Sequence, residues 1–217
     1  MDFDFQLAWS IVPDLLKGLL VTVRVVILGF VVATVLGMAV ALLQRSPSSI
    51  VRRLCAGYLS FLRNTPLMVQ LYVLFFALPQ AGITLPPIST GVLGLGLYYS
   101  AYIAEAWRGA IDGIDRGQWE AASALDIERS TTWRRIILPQ ALKPMLPVLG
   151  NYLIGMFKET PLLAVITIPE LFQAAKQVAG LTYHYNEPYT VMALLFLLIS
   201  VPTSLFFKYL EKRSHAA

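Results

Sequence analysis

Four charged side chains stand in or beside otherwise apolar runs of this chain, and they have the most chemistry to offer: Arg63, Glu105, Lys158 and Glu159. A cation near mid-membrane costs roughly 2.5 to 3.5 kcal/mol on an insertion scale, so each should face a partner, a wet cavity or a ligand instead of lipid. Two cations and two acids could hold the carboxylate and the ammonium or amidinium of a zwitterion. Covalent catalysis is not indicated. One cysteine, Cys55, and two histidines, His184 and His215, give no visible triad and no metal set. No Gly-Lys-Ser/Thr phosphate cradle occurs, so the chain cannot hydrolyse ATP by itself. A non-enzyme without metal or cofactor is expected.

The elements that must position these charges follow from composition. Of 217 residues 57% are hydrophobic and 14% charged, with a mean hydropathy of +0.64. This is the profile of an all-α, polytopic membrane protein. A single transmembrane domain over 1–217 with five spans is expected, at about 18–43, 54–78, 88–110, 142–166 and 188–207. Val25 to Leu43 alone gives nineteen uncharged residues, and a helix of roughly 25 residues crosses a core about 30 Å thick. Arg24 at its outer end should snorkel to the headgroups. The N-terminal segment has no basic residue before Lys17 and so lacks the n-region of a cleavable signal.

Span two carries Arg63, Asn64, Thr65 and Pro66 in its middle. Pro66 removes a backbone donor and frees the carbonyl one turn back, so the helix should kink or break there. In span three Gly91, Gly94 and Gly96 read as packing positions. Span four carries Lys158, Glu159, Thr160 and Pro161 within it, and Pro161 places a helix break just past the charges. Broken helices beside intramembrane charges are where transporters expose backbone dipoles to solute. Two readings of Lys158 and Glu159 stand level: direct solute contact, or a structural ion pair with Glu105 or Arg63. Residues 169–187 read as an external re-entrant or surface helix. His184, without an acidic or histidine partner in view, reads as a surface residue, and His215 lies in the tail.

Orientation comes from the basic residues. Twelve fall on the proposed cytoplasmic pieces (Arg45, Arg52, Arg53, Arg108, Arg116, Arg129, Arg134, Arg135, Lys143, Lys208, Lys212, Arg213) and three outside (Lys17, Lys158, Lys176). An outside N-terminus and a cytoplasmic C-terminus are expected.

The cytoplasmic loop 116–140 contains EAASALDIERSTTWRRIILP. It reads as two short helices with a bend at Asp126, the second ending at Pro139. Its apolar side chains are too few to span a bilayer and enough to fill a groove on a soluble partner; an ordinary amphipathic interface helix is the plainer reading. The stretch resembles the EAA loop of bacterial ATP-binding-cassette importer permeases of the polar amino acid uptake family. Glu120, Ala121 and Ala122 match the opening, and Ile136, Ile137, Leu138 and Pro139 the ending. Asp126 stands where the family usually has Gly, and Asp visits the left-handed region more readily than most residues. The segment Arg63-Asn64-Thr65-Pro66-Leu67 resembles the R-G-T-P-L stretch of those permeases, with Asn64 for Gly. Lys158-Glu159-Thr160-Pro161-Leu162-Leu163 resembles their K-D-T-S-L stretch and leans toward ectoine and hydroxyectoine permeases.

The resemblance implies a type I importer permease in the cell inner membrane. It implies coupling to two separate ATPase subunits through Glu120, Ala121, Ala122, Leu125, Asp126, Leu138 and Pro139. A second permease, identical or homologous, a periplasmic or lipid-anchored solute-binding protein and membrane lipids are the implied partners, with no nucleic acid. Arg63, Asn64, Thr65, Glu105, Lys158, Glu159 and Thr160 are the candidate translocation-path residues. Two further classes remain open: an ion-coupled carrier using Arg63, Glu105, Lys158 and Glu159 as a relay, and a non-transporting membrane scaffold.

Overall fold

Prolines and polar caps divide the chain into helices in a computed structural model, which describes residues 3–215, with side chains described to Tyr209. Lys212, Arg213 and His215 fall outside the described side chains. Asp4 caps the short α1 (Phe5–Ser10) by accepting from the N–H groups of Gln6 and Leu7, satisfying two donors that a first turn leaves orphaned. α2 (Val12–Leu43) follows with Pro in its first turn, where a missing N–H costs nothing. Its 32 residues make a rod of about 48 Å, longer than a bilayer core.

α3 (Ser49–Asn64) and α4 (Leu67–Tyr72) are the two halves of the expected second span. The break is sharper than a kink. The chain turns by 104° between α3 and the stretch Leu67–Ala81 that α4 opens, and α3 starts at Ser49, several residues before the expected 54. Cys55, Leu59 and Leu62 form its buried row, at the i, i+4, i+7 spacing of one helix face. Pro66 leaves the Leu62 carbonyl without its helical donor. The Gln70 side chain supplies the replacement: its Nε2 donates to Leu62 O at 3.0 Å and to Thr65 O at 3.0 Å. Beyond α4 the chain widens into a π-helical stretch, Val73–Ala77, and closes with a 3-10 turn, Leu78–Ala81.

α5 (Pro87–Asp112) is the central helix, with twelve buried residues, and it packs along α2. Close approach explains the glycines. A Cβ at Gly96 would lie 2.6 Å from Val32, and one at Gly37 2.7 Å from Ile103. Lipid tails are as apolar as Leu, so helices in a membrane associate by such backbone-close van der Waals contact.

The loop side consists of α6 (Arg116–Ala124), the single turn α7 (Arg129–Thr131) and a π-helical stretch, Thr132–Ile137. α8 (Leu138–Glu159) continues directly from it. Pro139 therefore opens a helix instead of ending one: in a first turn its missing N–H is not needed, which the expected end at Pro139 overlooked. A 3-10 segment, Thr160–Ile166, follows α8.

α9 (Leu171–Thr182) is held tightly: Leu171, Ala175 and Ala179 are buried, and the helix packs against α2 and α10 (Asn186–His215). Glu170 caps it, accepting from Phe172 N–H and Gln173 N–H. By length and composition, α2 and Asn186–Tyr209 of α10 can each cross a membrane alone, and the two bent pairs supply up to two more crossings. α5 carries glycines and tyrosines in place of lipid-facing Leu and lies inside the bundle. Ile27, Val31 and Val35 on α2 and Leu194, Leu197, Leu198 and Leu205 on α10 are exposed, as side chains bathed in lipid would be.

Candidate functional site

Arg63 and Glu105 are brought together although 42 positions separate them. Arg63 Nη1 lies 3.8 Å from Glu105 Oε2. They line a polar cavity of about 460 Å³ with Gln44, Ser60, Asn64 and Tyr102. The same Glu105 oxygen accepts from Arg108 Nη2 at 2.6 Å, so one carboxylate oxygen serves two guanidiniums. Arg63 also sits over the Tyr102 ring, 6.0 Å from its centroid, within reach of a cation–π attraction.

Tyr102 begins an aromatic cluster that leads from the cavity to Glu159. Its ring lies 5.1 Å from that of Tyr98 and 6.3 Å from those of Tyr99 and Tyr152. Tyr99 donates its hydroxyl to Glu159 Oε2 at 3.0 Å. Glu159 thus lies on the Tyr99 side of α8 and has no cation beside it among the described residues. Lys158 is exposed and has no ion-pair partner among the described residues. Of the two readings of Lys158 and Glu159, the ion pair with Glu105 or Arg63 does not form among the described residues: Glu105 is engaged by Arg63 and Arg108, and Glu159 by the Tyr99 hydroxyl.

Three other candidate residues turn toward the backbone. Asn64 Nδ2 donates to Ser60 O at 2.8 Å and Thr65 Oγ1 to Phe61 O at 2.7 Å, which ties the last turn of α3 before the Pro66 break. Asn64 still borders the cavity. Thr160 is fully buried, with its hydroxyl donated to Phe157 O at 2.8 Å. Thr160 thus joins α8 to the 3-10 segment and does not line the cavity.

The loop residues form a second constellation. Ala122 is buried, whereas Glu120, Ala121 and Leu125 are exposed, Leu125 by 74%. Asp126 has φ 51°, in the left-handed region. Its N–H donates to Ser123 O and the N–H of Ile127 to Ala122 O. That pair of bonds is the Schellman closure of a helix C-terminus, normally made with glycine. The Trp119 and Trp133 rings meet edge to face at 5.2 Å, and Gln140 donates to Gln118 at 3.0 Å, fixing α6 against the start of α8. Leu138 and Pro139 lie in that first turn. The loop so presents an exposed Glu120, whose side chain has no hydrogen bond or ion pair to any described residue, and an exposed Leu125.

Sequence reading missed Gln70, whose role depends on a break elsewhere, and missed the partner of His184. Its Nδ1 is 3.6 Å from Glu187 Oε2. The i, i+3 spacing that joins them was visible in the sequence, so His184 is a surface residue with an acidic neighbour instead of a lone one.

Comparison with known proteins agrees with this geometry. Residues 33–215 match the family model described as "Binding-protein-dependent transport system inner membrane component". A probable amino-acid ABC transporter permease protein of Sinorhizobium fredii, y4tG, is 42% identical over 201 residues, 93% of this chain and 87% of that protein. The glutamine transport system permease protein GlnP of Escherichia coli K12 is 32% identical over 215 residues, 98% of each chain. A crystal structure of an amino acid ABC transporter with histidines superposes with a TM-score of 0.91 at 33% identity, covering 98% of this chain and 100% of that one. The fold is that of a multi-pass inner-membrane permease. This chain belongs to the binding-protein-dependent transport system inner membrane component family, as a permease subunit of an amino acid ABC importer. It is not itself an enzyme; an ATPase and a solute-binding protein are its partners.

Proposed function

We propose that this chain carries a polar amino acid, or a related zwitterion, through the cavity bordered by Arg63 and past Glu159. The observation that supports it is the separation of charges along one polar and aromatic surface: Arg63 shares its acid with Arg108, while Glu159 is held only by a tyrosine hydroxyl. Arg63 has capacity for a solute carboxylate, with the exposed Lys158 as a second cation. Glu159, among tyrosine rings, suits an ammonium or amidinium. Glu105 is less suited to that role, since two guanidiniums already occupy it.

In this reading the chain crosses the membrane five times, at about 18–43, 54–78, 88–110, 142–166 and 188–207, with its N-terminus outside. Two permeases, identical or related, pair with two ATPases. Glu120, Ala121, Ala122, Leu125 and Asp126 dock into an ATPase cleft, and Leu138 and Pro139 join that docking element to α8. Closure of the ATPases on ATP then swings α8 and α5, taking the cavity from inward-open to outward-open. The relatives named above are amino-acid and glutamine permeases, so the lean toward ectoine gains nothing from them and a polar amino acid is the proposed solute. The ion-coupled carrier is not favoured, because the four charges do not form one relay: Lys158 stands apart from the rest.

The test is uptake of labelled glutamine, arginine, histidine and, for comparison, ectoine by the reconstituted complex carrying Arg63→Gln or Glu159→Gln. Each variant should lose about tenfold or more of uptake, the worth of one hydrogen bond to a charged group at about 1.5 kcal/mol, with the binding protein's own affinity unchanged. Wild-type uptake in both variants would remove the cavity from the solute's route.

A further inference from the structure

The cavity and the loop are joined by an unbroken series of charged contacts that neither site requires. Glu105, Arg108 and Asp112 stand at i, i+3 and i+7 on α5, one stripe of the helix. Arg63 of α3 touches Glu105 at 3.8 Å. Arg108 bridges the two acids, with Nη2 on Glu105 at 2.6 Å and Nη1 3.6 Å from Asp112 Oδ2. Arg45, at the end of α2, pairs with the other Asp112 oxygen. Its guanidinium lies 5.9 Å from the centroid of Trp133, which meets Trp119, the neighbour of Glu120. The series runs from the solute cavity to the docking helix and ties together five separate pieces of the chain.

We propose that Arg108, Asp112 and Arg45 are positioning residues that report solute occupancy at Arg63 to the coupling loop. The inference rests on the reading of Arg63 as a solute contact and of the Glu120 region as the ATPase dock. Its physical basis is competition. Arg63 and Arg108 share one oxygen of Glu105, so a solute carboxylate that draws Arg63 away leaves Glu105 to Arg108 alone. Glu105 then draws more firmly on Arg108, already in contact with it at 2.6 Å, which weakens the longer Arg108 contact to Asp112 and leaves the Asp112 charge more fully to Arg45. Arg45 carries that shift to Trp133, which lies on the helical stretch continuous with α8. Each exposed ion pair is weak taken singly, so the series adds little to folding; what it supplies is a differential contact between empty and occupied states, which coupling between two sites requires.

Two variants separate this role from mere positive charge at the cytoplasmic face. Arg108 reaches both acids because a guanidinium offers two arms, whereas a lysine ammonium keeps the charge and serves one acid. The experiment uses the whole complex in proteoliposomes, with ATPase rate read in the absence and presence of solute-loaded binding protein. Arg108→Lys and Arg108→Gln should both retain assembly and basal ATPase, and both should lose the solute-dependent stimulation by about fivefold or more, the lower end of ordinary allosteric coupling. Combining Arg108→Gln with Trp133→Leu should cost no more than the worse single change, as two breaks in one series would. Normal stimulation in Arg108→Lys, or losses that multiply in the double variant, would overturn the proposal. Arg63→Gln and Glu120→Lys run beside them as controls. If these are impaired while Arg108→Lys behaves as wild type, the series alone fails; if both controls behave as wild type, the underlying reading falls and the series with it.

Discussion

Glu170 shows how much one side chain can hold in this molecule. It is fully buried in the turn before α9, caps that helix through two backbone N–H groups, and lies where the Leu171 N–H donates to Thr22 Oγ1 of α2 at 3.0 Å. Burial pushes its carboxyl up to about 7, against the pull of the two donors. A carboxyl raised above its ordinary value near 4.5 contributes its stability fully below that value and loses it as pH rises through about 7. Thermal unfolding of the detergent-solubilised chain should therefore weaken between pH 5 and pH 8. Glu170→Gln, which keeps an acceptor and cannot ionise, should flatten that slope; an unchanged slope would show that Glu170 does not set it. Little of this was legible from sequence. Glu170 read as the start of an external helix, because a capping acid on the surface and one sealed against α2 look the same along the chain. Asp126 was more legible. Its place where the resembled family has Gly, and Asp's tolerance of the left-handed region, suggested a left-handed turn, and φ 51° with the Schellman bonds is what stands there.

At the scale of elements, the broken pair α3 and α4 positions Arg63. Sequence located the break, since Pro66 leaves no alternative, but not its angle of 104°, which depends on what takes up the freed carbonyls. Gln70 does so for both Leu62 and Thr65, and it is itself buried. Gln70→Leu fits the space and removes the donor, leaving buried carbonyls unsatisfied at about 1 to 3 kcal/mol. The variant should unfold at a lower temperature than wild type, and so should Gln70→Glu, whose carboxylate has no donor for these carbonyls; equal unfolding temperatures for Gln70→Leu and wild type would mean that water or lipid headgroups satisfy the bend. Element boundaries near prolines were the poorest part of the sequence reading. Pro139 was placed at a helix end and stands in a first turn, the position where proline is best tolerated.

For the whole molecule, the sequence was most informative where a pattern is local. Apolar runs gave α2 and α10, and the EAA match gave the loop. The pairings that build the site come from distant parts of the chain. Arg63 with Glu105, Tyr99 with Glu159, and Arg45 with Asp112 join elements whose side-by-side placement depends on glycines such as Gly37 and Gly96 letting α2 and α5 approach closely. Lys158 illustrates the limit: composition set it beside an acid, and the fold left it without one. The central claim is that this chain transports an amino acid only when an ATPase drives it through the loop around Glu120. The most direct measurement is uptake of labelled amino acid into proteoliposomes holding this chain, its partner permease, the ATPase and the binding protein, with internal ATP and no ion gradient. Uptake that needs both ATP and the binding protein, and that Glu120→Lys abolishes without loss of membrane insertion, is the predicted result. Uptake driven by an ion gradient without ATP, or normal uptake by Glu120→Lys, would contradict it.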